Sequence, residues 1–494
     1  MSLISRFISF ILLLACVSTL HAQSLNDEQL ARLVQKMQAR LDEARVAGKF
    51  PGAEVGFVLP DGRAGSVSTG VADRETKQPL KTSDRLLAGS IGKTFVAATA
   101  LKLVEEGKLK LDEKIERWLG NEKWFAALPN AKEITLRMLL NHSSGLRNHV
   151  DDSSFLKAMF KSNGREIKYE ELIAYVLNKK PLFPAGKGYN YSDTNYILAG
   201  MIIERAAGKT LYEEAAEKLL QPLKLERTIP SNSVMLPEVA NGYFENKPVI
   251  VGGKFILNPQ WEWAGGGFAS TAEDLARWAK ALYSGDALEP ESLKEMLNST
   301  SVGEGEKYGL GVEIVESKWG KAYGHDGEFP GYLSDMRFYP KYKIAVALMV
   351  NSDETPEVDR FISSALDDFA GVIIRETQGR SLAEKDKTRL QELAQNWLAL
   401  IDAGKFAESW DALSTELKAR YAREKWRDAL QPLLGQVGKM KSRKFKSIDY
   451  TDPVAEKVGV EFQSPSNKNS ALTETVTLTL EKDGQWRVSG YSIH

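Results

Sequence analysis

The chain has 494 residues, with 65 Lys and Arg set against 66 Asp and Glu, for a formal net charge of −1. That balance excludes a general nucleic-acid binder, and the length exceeds one compact core, so two or more domains are expected. The single cysteine permits neither an internal disulfide nor a thiolate zinc site.

Arg6, the apolar run over residues 7–17 and then Leu20-His21-Ala22 read as a secretory leader cleaved after Ala22, which sends the chain to the periplasm or the medium. Removing residues 1–22 takes away Arg6 and no acid, so the net charge moves from −1 to −2. Leu13-Leu14-Ala15-Cys16 offers an alternative lipoprotein cut, which would leave Cys16 acylated and the chain lipid-anchored. No other apolar run is long enough to span a bilayer.

Leu30, Leu33, Val34, Met37 and Leu41 recur at helical spacing, and alternating segments on either side of Pro60-Asp61-Gly62 predict a hairpin. Residues 95–225 carry a mainly helical pattern. Strands are predicted at 311–315, 322–325, 333–339 and 344–350, followed by a helix over 357–374. Strands from both ends enclosing a helical middle imply one mixed sheet with a helical insertion and a cleft where they meet.

The charged stretch at 380–387 marks a boundary. Beyond it, Trp397, Leu400, Phe406, Trp410 and Trp426 lie in helical segments, and Val476, Leu478 and Leu480 alternate before a turn at Asp483-Gly484. The division is a leader over 1–22, a main domain over 23–380, a linker over 381–387 and a small α+β domain over 388–494. The basic run Lys439, Lys441, Arg443, Lys444 and Lys446 reads as a solvated strand, with a patch for an anionic polymer as the alternative.

Ser90 and Lys93 stand three residues apart where an extended stretch gives way to a helix. A hydroxyl needs a base within hydrogen-bond reach to act as a nucleophile, and this spacing puts the amine on the serine's face of the helix. Spacing alone decides little, since about two such matches are expected by chance in a chain this long. Ser154 and Lys157 form the other one, among acidic and polar neighbours. Only the Ser90 helix has a broad apolar face, built from Phe95, Val96, Leu101, Leu103 and Val104. Gly92-Lys93-Thr94 imitates the end of a phosphate loop, but Leu87 stands where the leading glycine belongs. Ala88-Gly89-Ser90-Ile91-Gly92 also approximates the serine turn of α/β-hydrolases, a rival in which His325 is the base.

Five segments in order carry a family resemblance: Ser90-Ile91-Gly92-Lys93, Asn141-His142-Ser143-Ser144-Gly145, Tyr191-Ser192-Asp193, Gly265-Gly266-Gly267 through Leu275, and His325-Asp326-Gly327. From Gln29 to Gly379 the chain resembles the serine β-lactamase and penicillin-binding-protein superfamily, in its class C lactamase, DD-peptidase and esterase branch. The resemblance implies an α/β (α+β) sandwich of a mixed, largely antiparallel sheet flanked by helices, with an all-helical lobe and the small C-terminal domain appended. It implies Ser90 as the acylated nucleophile, Lys93 as the amine that takes its proton, and Tyr191 as the partner that activates water or protonates the leaving group. The backbone N–H groups of Ser90 and Glu328 would form the oxyanion hole, and Gly327 would let substrate lie against the strand. Such a network calls for a Lys93 or Tyr191 pKa well below 10.

Two residues depart from the lactamase pattern. His325 replaces the usual lysine, so carboxylate binding should weaken and a neutral imidazole should donate a hydrogen bond to substrate instead. Asp193 replaces asparagine and adds negative charge, unless it pairs with Lys93, which favours neutral or cationic substrates. His142 and His149 read as capping or packing residues. Residues 265–267 either shape the substrate floor or form a tight turn before a helix capped at Ser270-Thr271.

The expected activity is an exported serine hydrolase working through an acyl-enzyme on esters or D-amino-acid peptides, with no cofactor and no metal. Its partner is a small molecule or a peptide, cell-wall fragments included. The competing function is a penicillin-binding or scaffold protein of the same fold with little turnover. The C-terminal domain resembles a small bacterial family without assigned chemistry, through the stretch from Gly484 to Tyr491.

Overall fold

The computed structural model describes residues 25–162, 165–303, 306–353, 356–377, 382, 384–438, 440–452, 456–467 and 472–493. The leader, Cys16, Lys439 and part of the charged boundary lie outside these. Along the chain run α1 (Asp27–Gly48), β1 (Gly52–Val58), β2 (Ala64–Gly70), α2 (Gly92–Glu105), α3 (Asp193–Ala207) and α4 (Ala272–Ser284). Then come β3 (Thr300–Gly303), β4 (Glu306–Tyr308), β5 (Glu313–Ser317), β6 (Gly320–Phe329), β7 (Tyr332–Tyr339), β8 (Ile344–Val350) and α5 (Pro356–Thr377).

A capping box starts α1: Gln29 N–H donates to Asn26 Oδ1 at 2.8 Å and Asn26 N–H donates back to Gln29 Oε1 at 2.8 Å. Helical spacing then brings Leu33, Met37 and Leu41 onto the sheet, where all three are buried. Every residue of β1 is buried, because both of its faces are covered. Ala53, Val55 and Phe57 pack with α1 and α5, whereas Val58 joins the core on the other side. Also on that other side, Ala272 N–H donates to Glu54 Oε2 at 3.3 Å, so α4 begins directly over the strand.

The eight strands lie in the order β3-β4-β5-β6-β7-β8-β1-β2, and each pairing is antiparallel. The first strand of the lobe therefore sits beside its last, with Ala53 opposite Val350. An antiparallel sheet excludes the α/β-hydrolase rival, whose crossover helices require parallel strands. The insertion between β2 and β3 is mostly helical, and its α2 and α3 pack together with Phe95, Leu101, Ile197 and Ile202 buried between elements.

A separate core holds the C-terminal segment together. Helices α6 (Glu384–Asp402), α7 (Phe406–Asp411), α8 (Thr415–Arg420) and α9 (Trp426–Val437) accompany a four-stranded antiparallel sheet of β9 (Lys444–Asp452), β10 (Lys457–Gln463), β11 (Thr473–Leu480) and β12 (Trp486–Ile493). Trp397 and Trp426 are buried against Val460, Phe462, Val476 and Leu478. Their indole N–H groups both find Ser409, on its carbonyl oxygen at 3.0 Å and on its Oγ at 3.0 Å. The basic run is partly neutralised: Arg443 pairs with Asp402 and Glu474, and Lys446 Nζ lies 3.2 Å from Glu461.

Candidate active site

A short pairing of Leu86–Leu87 with Ala269–Ser270 delivers the chain into a tight turn, Gly89–Ile91, that opens into α2 at Gly92. Gly89 has φ +51°, and a methyl group there would meet Glu328 N at 2.5 Å, so only glycine lets this turn press against β6. Ser90 sits on the turn and Lys93 one helical turn later, with the lysine wholly buried. Lys93 Nζ lies 2.8 Å from Ser90 Oγ, 2.5 Å from the Gly265 carbonyl oxygen and 2.5 Å from Asp193 Oδ1. Ser90 Oγ, the Gly265 carbonyl and the Asp193 carboxylate thus surround Nζ. Tyr191 stands beside Ser90 in the cavity wall, and its ring lies 4.9 Å from Lys93 Nζ. Ser90, Lys93, Tyr191 and Asp193 therefore converge, although they come from two separated helices and a loop.

Three expectations change in the structure, and a fourth, for Asp193, settles on the second of its two alternatives. The Tyr191 pKa is not depressed: burial first, and then the neighbouring Asp193, push it well above its ordinary 10, so the side chain is a neutral phenol. Asp193 does not stand as an uncompensated charge, because it is the ion-pair partner of Lys93. His325 cannot donate to substrate, since it is fully buried with both ring nitrogens engaged. Gly327 is required by the protein rather than by substrate: a methyl group there would sit 2.1 Å from the Ala88 carbonyl oxygen and 2.5 Å from Ser334 Oγ.

A buried hydrogen-bonded chain explains the His325 result. His142 Nδ1 accepts from Ser192 N–H at 3.2 Å and from the Asn195 amide at 3.2 Å, so its proton is on Nε2, facing Tyr308 Oη at 3.3 Å. Tyr308 in turn donates to His325 Nε2 at 2.8 Å, and His325 Nδ1–H donates to the Asp326 carbonyl at 2.6 Å. Burial lowers the His325 pKa to about 4, which keeps the imidazole neutral as the sequence suggested. The His142 ring lies 4.3 Å from the Tyr191 ring, so this chain braces Tyr191 from behind. Glu313, His325 and Asp326 are close enough to suggest a cation, but the two imidazole nitrogens already have partners.

A cavity of about 350 Å³ opens beside Ser90, Tyr191 and Asp193. Residues absent from the sequence-based site shape it. Phe155, Leu156, Phe244 and Trp261 supply an apolar wall, and Glu262 and His149 contribute buried polar groups. His149 Nδ1 lies 3.0 Å from Thr194 Oγ1, which fits the packing role, but the ring also faces the cavity and its pKa falls to about 4 through burial. Glu262 is missed because it lies in an irregular turn with no period. The available signal was an acid wedged between Trp261 and Trp263 in an apolar run. Of residues 265–267 only Gly265 lines the cavity, where its carbonyl also accepts from Lys93, and Thr271 caps α4 through Asp274 N–H at 3.3 Å.

Comparison with known proteins matches this arrangement. The model of the family described as Beta-lactamase fits residues 30–370, and the model of a protein of unknown function (DUF4019) fits residues 393–491. Penicillin-binding protein 4* of Bacillus subtilis (strain 168) is 26% identical over 315 residues, which cover 60% of this chain and 67% of that protein. Esterase EstB of Burkholderia gladioli is 25% identical over 323 residues, 59% of this chain and 79% of the esterase. The D-amino acid amidase of Ochrobactrum anthropi SV3, solved with L-phenylalanine amide, superposes with a TM-score of 0.58 at 26% identity and covers 70% of this chain and 98% of its own. Among the described residues no helix is long and apolar enough to cross a membrane. With the family model spanning the sheet, the helical insertion and every segment around Ser90, the chain belongs to the beta-lactamase family and is a serine hydrolase of that fold.

Proposed function

We propose that the chain hydrolyses esters or amides of amino acids and short peptides, D-configured ones included, through an acyl-enzyme on Ser90. The observation that carries this reading is the contact of a fully buried Lys93 amine with Ser90 Oγ at 2.8 Å, beside a cavity able to hold an acyl group. In acylation Lys93 acts as the free amine: the Ser90 oxygen adds to the substrate carbonyl, its proton goes to Lys93, and the C–O or C–N bond to the leaving group breaks. Tyr191, a phenol in this environment, gives the leaving group its proton, so the Lys93–Tyr191 pair ends with as many protons as it began with. Water then repeats the sequence in reverse and frees the acid. The backbone N–H groups of Ser90 and Glu328 are read as the oxyanion donors, on the strength of the close packing of the Gly89 turn against β6. The leader-like residues 1–22 extend the proposal to an exported enzyme.

Support for esters and amides over carboxylate-bearing lactams comes from the site itself. Lys93 is paired with Asp193, and neutral His325 offers no cation to a substrate carboxylate. Intact-mass analysis of wild type and S90A after brief exposure to a fluorophosphonate, a penicillin and a short-chain ester tests the reading. A single adduct that S90A lacks is the expected result. No adduct from any reagent would favour the low-turnover scaffold.

A further inference from the structure

The cavity beside Ser90 holds a carboxyl group that the acyl-transfer machinery does not use. No lysine or arginine lines it, whereas Asp193, Glu262 and Glu328 do. Lys93, behind the wall, is the partner of Asp193. Glu262 is only 6% exposed, and its Oε2 has no hydrogen-bond partner among the described residues. The two carboxyl groups meet at adjacent glycines: a methyl group at Gly265 would lie 3.4 Å from Asp193 Oδ1, and one at Gly266 would lie 2.9 Å from Glu262 Oε1. A buried acceptor without a donor is costly, and a wall with one spare carboxyl group is matched by a cationic donor. Burial raises the Glu262 pKa to about 8, against the lowering effect of Lys93.

The same cavity is otherwise apolar. Phe155 meets Trp261 edge-on at 5.2 Å, and Leu156 and Phe244 complete the wall. Its volume of about 350 Å³ exceeds the roughly 150 Å³ of a cavity that admits a benzene ring.

Resting on the Ser90 acyl-enzyme reading, we propose that Glu262 recognises an ammonium group on the acyl side of the scissile bond. The substrate is then an ester or amide of an amino acid with a free α-amino group and a bulky apolar side chain. The ammonium points to Glu262, and the side chain lies against Phe155, Leu156 and Trp261. Acyl donors carrying a carboxylate at this position are disfavoured, since the charged groups lining the cavity are Asp193, Glu262 and Glu328 and none is a lysine or arginine.

The test compares the methyl esters of D- and L-phenylalanine with methyl hydrocinnamate, which has the same side chain and no amine, on wild type and E262Q. The expected wild-type kcat/KM ratio favours the better phenylalanine ester by about tenfold or more, mainly through KM, as a charge-assisted hydrogen bond would produce. In E262Q the ratio falls toward one. A wild-type ratio near one, or a ratio that E262Q leaves unchanged, overturns the proposal. Should E262Q fail to fold, protection of wild-type Ser90 against a fluorophosphonate decides: phenylalanine amide must protect at lower concentration than hydrocinnamide, and equal protection refutes the idea. Wild-type Ser90 that takes no fluorophosphonate at all would instead remove the acyl-enzyme reading, and this proposal with it.

Discussion

Asp193 Oδ1 lies 2.5 Å from Lys93 Nζ, so the buried amine beside the nucleophile has its counter-charge on a carboxylate whose side chain is 20% exposed. D193A strips that counter-charge from a wholly buried group and is expected to cost about 3 kcal/mol of stability. D193N, which keeps an acceptor, should cost less. Urea melts of the three proteins check the ranking, and indistinguishable midpoints would show that the pair contributes nothing.

Replacing the amine tests its part in chemistry. K93M keeps the length of the side chain and removes the proton acceptor, so ester turnover should fall by about a hundredfold to ten-thousandfold. Steady-state kinetics with circular dichroism as a folding control measures it. A loss below tenfold would move the base elsewhere.

Because Tyr191 is held as a phenol, its removal should matter in proportion to the leaving group's need for a proton. Y191F is expected to slow an amide or alkyl ester by about a hundredfold and a p-nitrophenyl ester, whose leaving group departs as an anion, by about tenfold or less. Equal losses on both substrates would assign Tyr191 a positioning role.

G327A places a methyl group 2.1 Å from the Ala88 carbonyl oxygen, to which Ser334 Oγ also donates at 2.8 Å. Strand β6 and the nucleophile turn must separate, at an expected cost of about 1–3 kcal/mol, and Ser90 should lose its reactivity toward a fluorophosphonate. Thermal melts and labelling rates report the two effects separately.

His325 has its pKa lowered to about 4 against an ordinary 6.5, because burial penalises the charged ring. The unfolded chain therefore binds this proton first as the solution is acidified. The stabilising contribution is complete above pH 6.5 and is lost as pH falls toward 4, at up to about 1.4 kcal/mol per pH unit. His142 and His149 are shifted the same way, so the difference between wild type and H325Q isolates the effect. Denaturant titrations at steps from pH 7 to 4 should show the wild type losing ground to the variant, and parallel curves would contradict this.

The sequence discloses those parts of the site that share an element. Ser90 and Lys93 are neighbours on one helix face, so spacing and the apolar side of α2 reveal them. Strands β5 to β8 are legible through their alternation, and α5 through its period. Tyr191 is a lone aromatic whose role comes only from the family resemblance. Tyr308 and His142 meet from positions 166 residues apart, and no local pattern announces that contact. The same distance problem misplaces His325 and Gly327, whose neighbours are supplied by β4, the turn before Ser90 and β7. Two-residue pairings such as Tyr243–Phe244 with Lys247–Pro248 carry too little alternation to be seen.

Residue 53 faces residue 350 one strand in from the β2 edge of the sheet, which ties the assembly of the lobe to its own far end. Loop closure over so long a span precedes any reward from the pairing, so β1 and β8 come together late and slowly. Until then β1, destined for burial on every residue, has an unpaired edge that invites another chain. A ribosome that has released only the first three hundred residues has made a helical insertion hung on an open hairpin. Truncations ending before residue 344 should accordingly aggregate rather than yield a smaller enzyme, because β8 is the strand that closes the sheet over β1.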